Sequence, residues 1–260
     1  MKLDFIRSSY DEGRPLFAQY MQTLGSGNDD FWEDNSLTNG IYQIALDAQP
    51  VGLCAVEAGG ALTLFYLPLQ YAKYAQSAFR ALRERFHPQY AFAATNDELF
   101  LSLCMDDFLS IEKQAYFFTQ SGIPARPPEF ARDCLRPALP ADAADILDKE
   151  NVAENITQGK YYVLRENGVF LGQGFYNPMT LTPNAVSIGM SVHPGHRRKG
   201  AGRSIIMHLA ELCRENGKIP LCGCWYYNHN SKKTLESAGF VTRTRLLKVW
   251  LEEEGTECKS

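Results

Sequence analysis

One short segment, Val192-His-Pro-Gly-His-Arg-Arg-Lys-Gly-Ala-Gly-Arg-Ser204, gathers the residue types that can hold a phosphorylated ligand. Gly200 and Gly202 let a main chain approach a ligand where a β-carbon would obstruct it. Arg197, Arg198, Lys199 and Arg203 surround them with positive charge. The apolar spacing that follows predicts a helix beginning here, and a helix N-terminus offers unpaired N–H groups and the positive end of its dipole. The segment therefore reads as an anion cradle suited to a pyrophosphate that carries a further phosphate. It is neither the G-x-G-x-x-G of a dinucleotide fold nor the GxxxxGK[ST] of a P-loop. A solvated basic face is the plain alternative, and the strand–loop–helix order together with Asn228 downstream weighs against it.

The flanking pattern supplies the elements that would position this cradle. A strand is expected over 185–192, ending at His193-Pro194, and a helix over 203–216 with Ile205, Ile206, Leu209, Ala210 and Cys213 at helical spacing. Gly217 stops that helix. A strand over 219–225, a short helix over 231–238 closed by Gly239, and a strand over 241–251 complete the half. Upstream, strands over 161–165 and 169–175 flank the turn signal Glu166-Asn167-Gly168. Residues 142–150 read as an amphipathic helix with Ala144, Ile146 and Leu147 inward.

The first half repeats this order. Strands are expected over 42–48, 51–57 and 61–67, a long helix over 71–86, a strand over 91–94, a helix over 98–104 and a strand over 109–118. The prolines and glycine of the 121–129 stretch divide the two halves. The expected organisation is a first domain over 1–125, a linker over 121–132 and a second domain over 133–260. Similar spacings, such as Tyr42 to Gly52 and Tyr162 to Gly172, point to a diverged internal repeat. The first half has no glycine between Gly60 and Gly122 and no basic cluster after Pro68, so it cannot build the same cradle.

At this point the chain resembles a known family. Arg197-Arg-Lys-Gly200-Ala-Gly202 is similar to the Q/R-x-x-G-x-G/A signature of the GCN5-related N-acetyltransferases (GNAT), which bind acetyl-CoA. Val192-His-Pro, Asn228-His-Asn-Ser231 and Gly239-Phe240 follow in the same order. The likeness runs from about Arg132 to Glu252 and is nearest the branch with a Trp before the Asn-x-x-Ser element, as in Trp225-Tyr-Tyr-Asn228. The first half would be a degenerate GNAT-like repeat without a cofactor loop.

The resemblance implies a fold and a set of roles. The fold is α/β, with a mixed, mostly antiparallel central sheet flanked by helices in two tandem similar domains. Main-chain amides from Arg198 through Ala201 and Gly202 to Arg203 would hold the pyrophosphate, with Arg197, Arg198 or Lys199 on the 3′-phosphate. Met190 and Val192 would pair with the pantetheine arm, and Asn228, with Ser231 beside it, would hold the arm from the other side. A primary amine of a small molecule would attack the acetyl carbon directly. Many members place a tyrosine acid seven residues after the Asn, where this chain has Leu235. Tyr226 is the preferred substitute, and Glu154 the candidate base acting through water. A competing reading is an acyl-CoA sensor or interaction module with little or no turnover.

Composition bounds the remaining classes. The chain has 260 residues, 45% hydrophobic and 22% charged, with a net charge of -4, enough apolar material for one large core or two modest ones. The slightly acidic balance argues against nucleic acid, and no apolar run is long enough for a membrane helix. The opening MKLDFIRSSY has no signal-peptide core, so a cytoplasmic monomer or homodimer is expected. The seven scattered cysteines read as reduced thiols, and Cys222 and Cys224 alone do not make a metal site.

Overall fold

In the computed structural model, residues 2–121, 123, 126–148 and 150–251 are described. The elements run β1 (Leu3–Arg7), α1 (Tyr10–Thr23), α2 (Asp30–Thr38), β2 (Gly40–Leu46), β3 (Gln49–Val56) and β4 (Ala61–Tyr66). A 3-10 turn, Leu69–Tyr74, leads into α3 (Ala75–Phe86), followed by β5 (Tyr90–Ala94), α4 (Glu98–Asp106) and β6 (Phe108–Gln120). The second half holds β7 (Leu135–Pro137), α5 (Val152–Thr157), β8 (Tyr161–Glu166), β9 (Val169–Pro178) and β10 (Ala185–Val192). It ends with α6 (Ala201–Glu215), β11 (Ile219–Trp225), α7 (His229–Ser237) and β12 (Phe240–Leu251).

The chain divides into two compact units. The first contains residues 2–27, 31–115 and 244–251; the second contains 28–30 and 116–243. Two short segments thus depart from a simple linear cut: Asn28–Asp30 belongs to the second unit, and the end of β12 to the first.

In the first unit β1 to β4 pair antiparallel in order, and β4 and β5 pair parallel at Ala61–Tyr90 and Leu62–Ala91. Leu246–Trp250 of β12 pairs antiparallel with β5. The core lies between this sheet and helices α3 and α4, with Leu62, Phe65, Leu82 and Phe100 at 0–1% exposure. The second unit repeats the plan: β7, β8, β9 and β10 pair antiparallel, and β10 pairs parallel with β11. Its core joins Leu164, Ile188, Ile205, Leu209 and Phe240. The fold is therefore mixed α/β with a mostly antiparallel sheet flanked by helices, built twice in tandem.

Several boundaries match the sequence pattern because the chemistry there is local. Asn167 and Gly168, with φ of 49° and 81°, form the hairpin turn between β8 and β9, a conformation that Asn-Gly accepts readily. β10 and β11 have the expected limits. The expected helix at 71–86 is shorter, because its first turn is the 3-10 segment. β1, α1 and α2 were not anticipated. The signal for α1 was present: Ser9 Oγ accepts from the Glu12 N–H at 3.3 Å, and Glu12 Oε2 accepts from the Ser9 N–H at 2.8 Å.

The expected helix at 142–150 does not form among its described residues (Lys149 lies outside them). Pro140–Asp142 is a 3-10 turn, and the Asp142 carboxylate accepts from Arg136, from Arg165 and from the Leu139 N–H. One turn later the Leu147 N–H donates to Gln173 Oε1 on β9 instead of to a helical carbonyl. Ile146 is still fully buried, so the apolar spacing marked core contact correctly while the polar network decided the backbone.

Candidate active site

β10 carries the centre of the site. It pairs with β9 from Val186 to Val192, but with β11 only from Ala185 to Ser187. Beyond Ser187 the strands β10 and β11 part. The His193 N–H donates to Leu171 O on the β9 side, and Asn184 O accepts from the Ile219 N–H on the β11 side. Alternation along the strand therefore turns the N–H and C=O groups of Ile188, Met190 and Val192 toward the gap.

The loop after β10 leads into the N-terminus of α6. His193 Nδ1 accepts from the Gly195 N–H at 3.3 Å, Arg197 Nε donates to Val192 O at 3.4 Å, and Lys199 Nζ donates to Gly195 O at 3.2 Å. Arg198 and Gly200 have φ of 63° and 81°, the left-handed turn that brings the chain onto the helix. A β-carbon on Gly200 would lie 2.6 Å from Glu129 Cβ, so the backbone here can only be glycine without rearrangement. Ser204 Oγ accepts from the N–H groups of Glu129 and Phe130, and Arg203 Nε donates to Pro127 O at 2.9 Å. The 126–130 segment is thereby tied to the first turn of α6. On the opposite face Ile205, Ile206 and Leu209 are fully buried, and Gly174 of β9 leaves the space that Ile205 and Leu209 fill.

These groups border a cavity of about 860 Å³. It is lined by Met190, Ser191, Val192, Gly200, Gly202, Asn228 and Ser231, and by five cationic residues: Arg126, Arg197, Arg198, Arg203 and Lys233. Among the described residues no carboxylate lines it. Such a cavity, at the N-terminus of a 15-residue helix, suits a polyanion by charge, by free N–H groups and by the absence of β-carbons.

A second cavity, of about 250 Å³, adjoins it. Met190 and Ser231 line both. Its other walls include Asp30, Phe175, Asn177, Ser187, Gly223 and Leu235.

Most of the expected site residues meet in the larger cavity, with four exceptions. Lys199 is exposed and turned back onto Gly195; Ala201 is buried as the first residue of α6 and is part of the core. Tyr226 stacks on Tyr116, with ring centroids 4.6 Å apart and planes 12° from parallel, and lines neither cavity. Glu154 is exposed on α5, its carboxylate accepting from Gln158 Nε2 at 2.8 Å, and also lines neither. Leu235, where the resemblance places a tyrosine, is a buried wall of the smaller cavity.

Asp30, Asn177, Ser187, Arg126 and Lys233 were missed by sequence reasoning. They are separated along the chain and carry no motif, so only the fold brings them together.

Comparison with known proteins adds to this geometry. The model of the acetyltransferase (GNAT) family matches residues 128–240, and that of an acetyltransferase (GNAT) domain matches residues 9–121. Each half of the chain carries a GNAT domain. The likeness is not confined to the second half: the first is a GNAT domain in its own right, although it lacks the glycine cradle. Among solved structures, the tandem GNAT chain is similar to an acetyltransferase of the GNAT family from Colwellia psychrerythraea. That match has a TM-score of 0.85 at 16% identity, covering 97% of this chain and 100% of the other. A GCN5-related N-acetyltransferase from Sphaerobacter thermophilus aligns with a TM-score of 0.59 at 11% identity over 96% and 95% of the two chains. A tandem GNAT protein from the clavulanic acid biosynthesis pathway aligns with a TM-score of 0.58 at 12% identity over 96% and 98%. At such identities the likeness is one of fold. No curated protein matches the chain.

Proposed function

We propose that the second GNAT unit binds acetyl-CoA in the larger cavity and transfers its acetyl group to a primary amine held in the smaller one. The observation that carries this reading is the pair of adjoining cavities at the parting of β10 and β11, one lined by five cations and the other sharing its Met190–Ser231 wall. N–H groups of Gly200, Ala201, Gly202 and Arg203 hold the pyrophosphate, with Arg197 and Arg198 adding charge. The edge of β10 that β11 leaves unpaired, at Met190 and Val192, receives the pantetheine arm as a further strand would be received, and Asn228 and Ser231 close the opposite side. A β10 N–H aimed at the thioester oxygen would stabilise the oxyanion by about 3 kcal/mol.

The chemistry then needs no enzyme nucleophile. The bound ammonium first releases one proton to solvent. The neutral amine attacks the acyl carbon, a C–N bond forms and the C–S bond breaks. The second proton passes from nitrogen to the departing thiolate, so the products are an acetamide and a free thiol. A thiol of ordinary acidity leaves as thiolate near neutral pH, so the absence of Tyr226 from the cavity does not prevent turnover.

The first unit takes no part in cofactor binding. Its crossover from β4 to α3 is the 3-10 segment Leu69–Tyr74, with no glycine and a single lysine.

Leu235 favours one competing reading, an acyl-CoA sensor that binds without turning over. Thiol release from acetyl-CoA across a panel of amines separates the two. Amine-dependent release supports transfer, and saturable binding with no release supports the sensor.

A further inference from the structure

The end of β11 and the turn that follows it present two exposed aromatic rings. Trp225 is 57% exposed and Tyr227 50%. The two rings meet edge to face, with centroids 5.1 Å apart and planes at 62°. Alternation along β11 decides which way Trp225 faces. Cys222, Cys224 and Tyr226 pack into the core beneath α6, so Leu221, Gly223 and Trp225 stand on the opposite face of the strand. Gly223 lines the smaller cavity from that face. Trp225 follows it on the same face, about 6.6 Å further along the strand.

The turn that carries these rings is fixed at several points. Between them Tyr226 stacks on Tyr116, with ring centroids 4.6 Å apart. The Trp225 carbonyl accepts from the Asn228 N–H at 2.9 Å, and the Tyr227 carbonyl accepts from the His229 N–H at 3.0 Å. Asn228 in turn caps α7 through the Ser231 N–H and lines the larger cavity. One turn therefore holds both the aromatic pair and a wall residue of the cationic cavity. Adjacent aromatic rings left in water on a fixed turn are the type of side chain that anchors recognition. Planes at 62° form an open angle, in which a flat ring can meet one partner offset-stacked and the other edge on. Because the turn is already ordered, binding such a ring costs little further conformational entropy.

We propose that Trp225 and Tyr227 determine acceptor specificity by binding the aromatic ring of an arylalkylamine, whose amino group reaches the smaller cavity on its alkyl linker. This rests on the proposed acetyl transfer and names the substrate class of that same site. The linker spans the step from Trp225 to Gly223, and the amine then lies near Met190 and Ser231, the wall that both cavities share.

The test uses the full chain. Acetyl-CoA affinity is measured by calorimetry and oligomeric state by light scattering. Thiol release gives kcat and KM for phenethylamine, for cyclohexylethylamine, which keeps the skeleton without the π system, and for butylamine, which lacks the ring. In the wild type, KM for phenethylamine should lie about threefold or more below that for cyclohexylethylamine and about tenfold or more below that for butylamine. Trp225→Ala should raise KM for phenethylamine about three- to tenfold, and Tyr227→Ala about threefold, while KM for butylamine stays within about twofold. Acetyl-CoA affinity should stay at the wild-type value in both variants. Trp225→Phe, which keeps a ring, should recover most of the loss. KM values alike for the three amines, unchanged KM for phenethylamine in Trp225→Ala, or equal losses for phenethylamine and butylamine would each overturn the assignment. Acetyl-CoA binding without turnover of phenethylamine would overturn it as well. A change of oligomeric state in Trp225→Ala with KM unmoved would assign the aromatic pair to contact between copies of the chain instead. Failure of the wild type to bind acetyl-CoA would overturn the transferase reading beneath the proposal.

Discussion

Glu129 and Gly200 pack so closely that a β-carbon added to Gly200 would stand 2.6 Å from Glu129 Cβ. The same glycine holds φ at 81°, which an L side chain adopts only under strain. Gly200→Ala should therefore destabilise the folded chain by about 1–3 kcal/mol, through backbone strain and through displacement of the 126–130 segment. Urea unfolding measures this, and a variant as stable as the wild type would contradict the packing described. Larger side chains at this position would confound folding with binding, so the arginines are the better probes of the ligand.

Arg198 lines the cationic cavity from an exposed position. Arg198→Ala should weaken acetyl-CoA binding about three- to tenfold and leave thermal stability nearly unchanged, because exposed charges contribute little to folding. Raising the salt concentration should narrow the difference between variant and wild type. An affinity insensitive both to the substitution and to salt would remove Arg198 from the phosphate site.

In the first unit, burial pushes the Asp97 carboxyl up from 3.8 to about 6, against hydrogen bonds from the Tyr20 hydroxyl at 2.7 Å and the Phe100 N–H at 3.1 Å. A carboxyl raised in the folded state binds protons that the unfolded chain has already lost. Its contribution is therefore most favourable below about 3.8 and is lost as pH rises through about 6. Asp97→Asn should flatten that part of the stability profile. A wild-type slope that persists in the variant would assign it to other groups.

Asp142 is the opposite case. Hydrogen bonds from Arg136, the Leu139 N–H and Arg165 hold its carboxyl down at about 2, against the opposing effect of burial. Its stabilisation is present above 3.8 and disappears as pH falls toward about 2. Asp142→Asn should lower stability at neutral pH by about 1–3 kcal/mol, with the gap to wild type closing in acid. A gap that is constant with pH would mean that the charge is not what stabilises this corner.

What the sequence made legible follows from how local each signal is. The β8–β9 turn at Asn167-Gly168 and the limits of β10 and β11 depend on residues a few positions apart, and the structure has them as the pattern implies. The helix expected from Arg203 begins two residues earlier, so Gly200 precedes it and Gly202 lies in its first turn. The 142–150 segment was misread because Asp142 is satisfied by Arg136 and Arg165, partners that helical periodicity does not register. Asp30 was invisible for a related reason. Its partners Asn177 and Ser187 lie 147 and 157 residues away, and no spacing rule connects residues at that distance. Much of the larger cavity's lining, from Met190 to Arg203, is contiguous in the chain, which is why a sequence pattern points to it. The smaller cavity is lined from three strands, from α7 and from the distant Asp30, and only the fold brings these together.

The most direct test of the central claim is calorimetric titration of the full chain with acetyl-CoA. The account predicts one binding site per chain, with affinity lost when Arg197 and Arg198 are both replaced by Ala and kept in Trp225→Ala. Two sites per chain, no binding, or binding unaffected by loss of both arginines would contradict it.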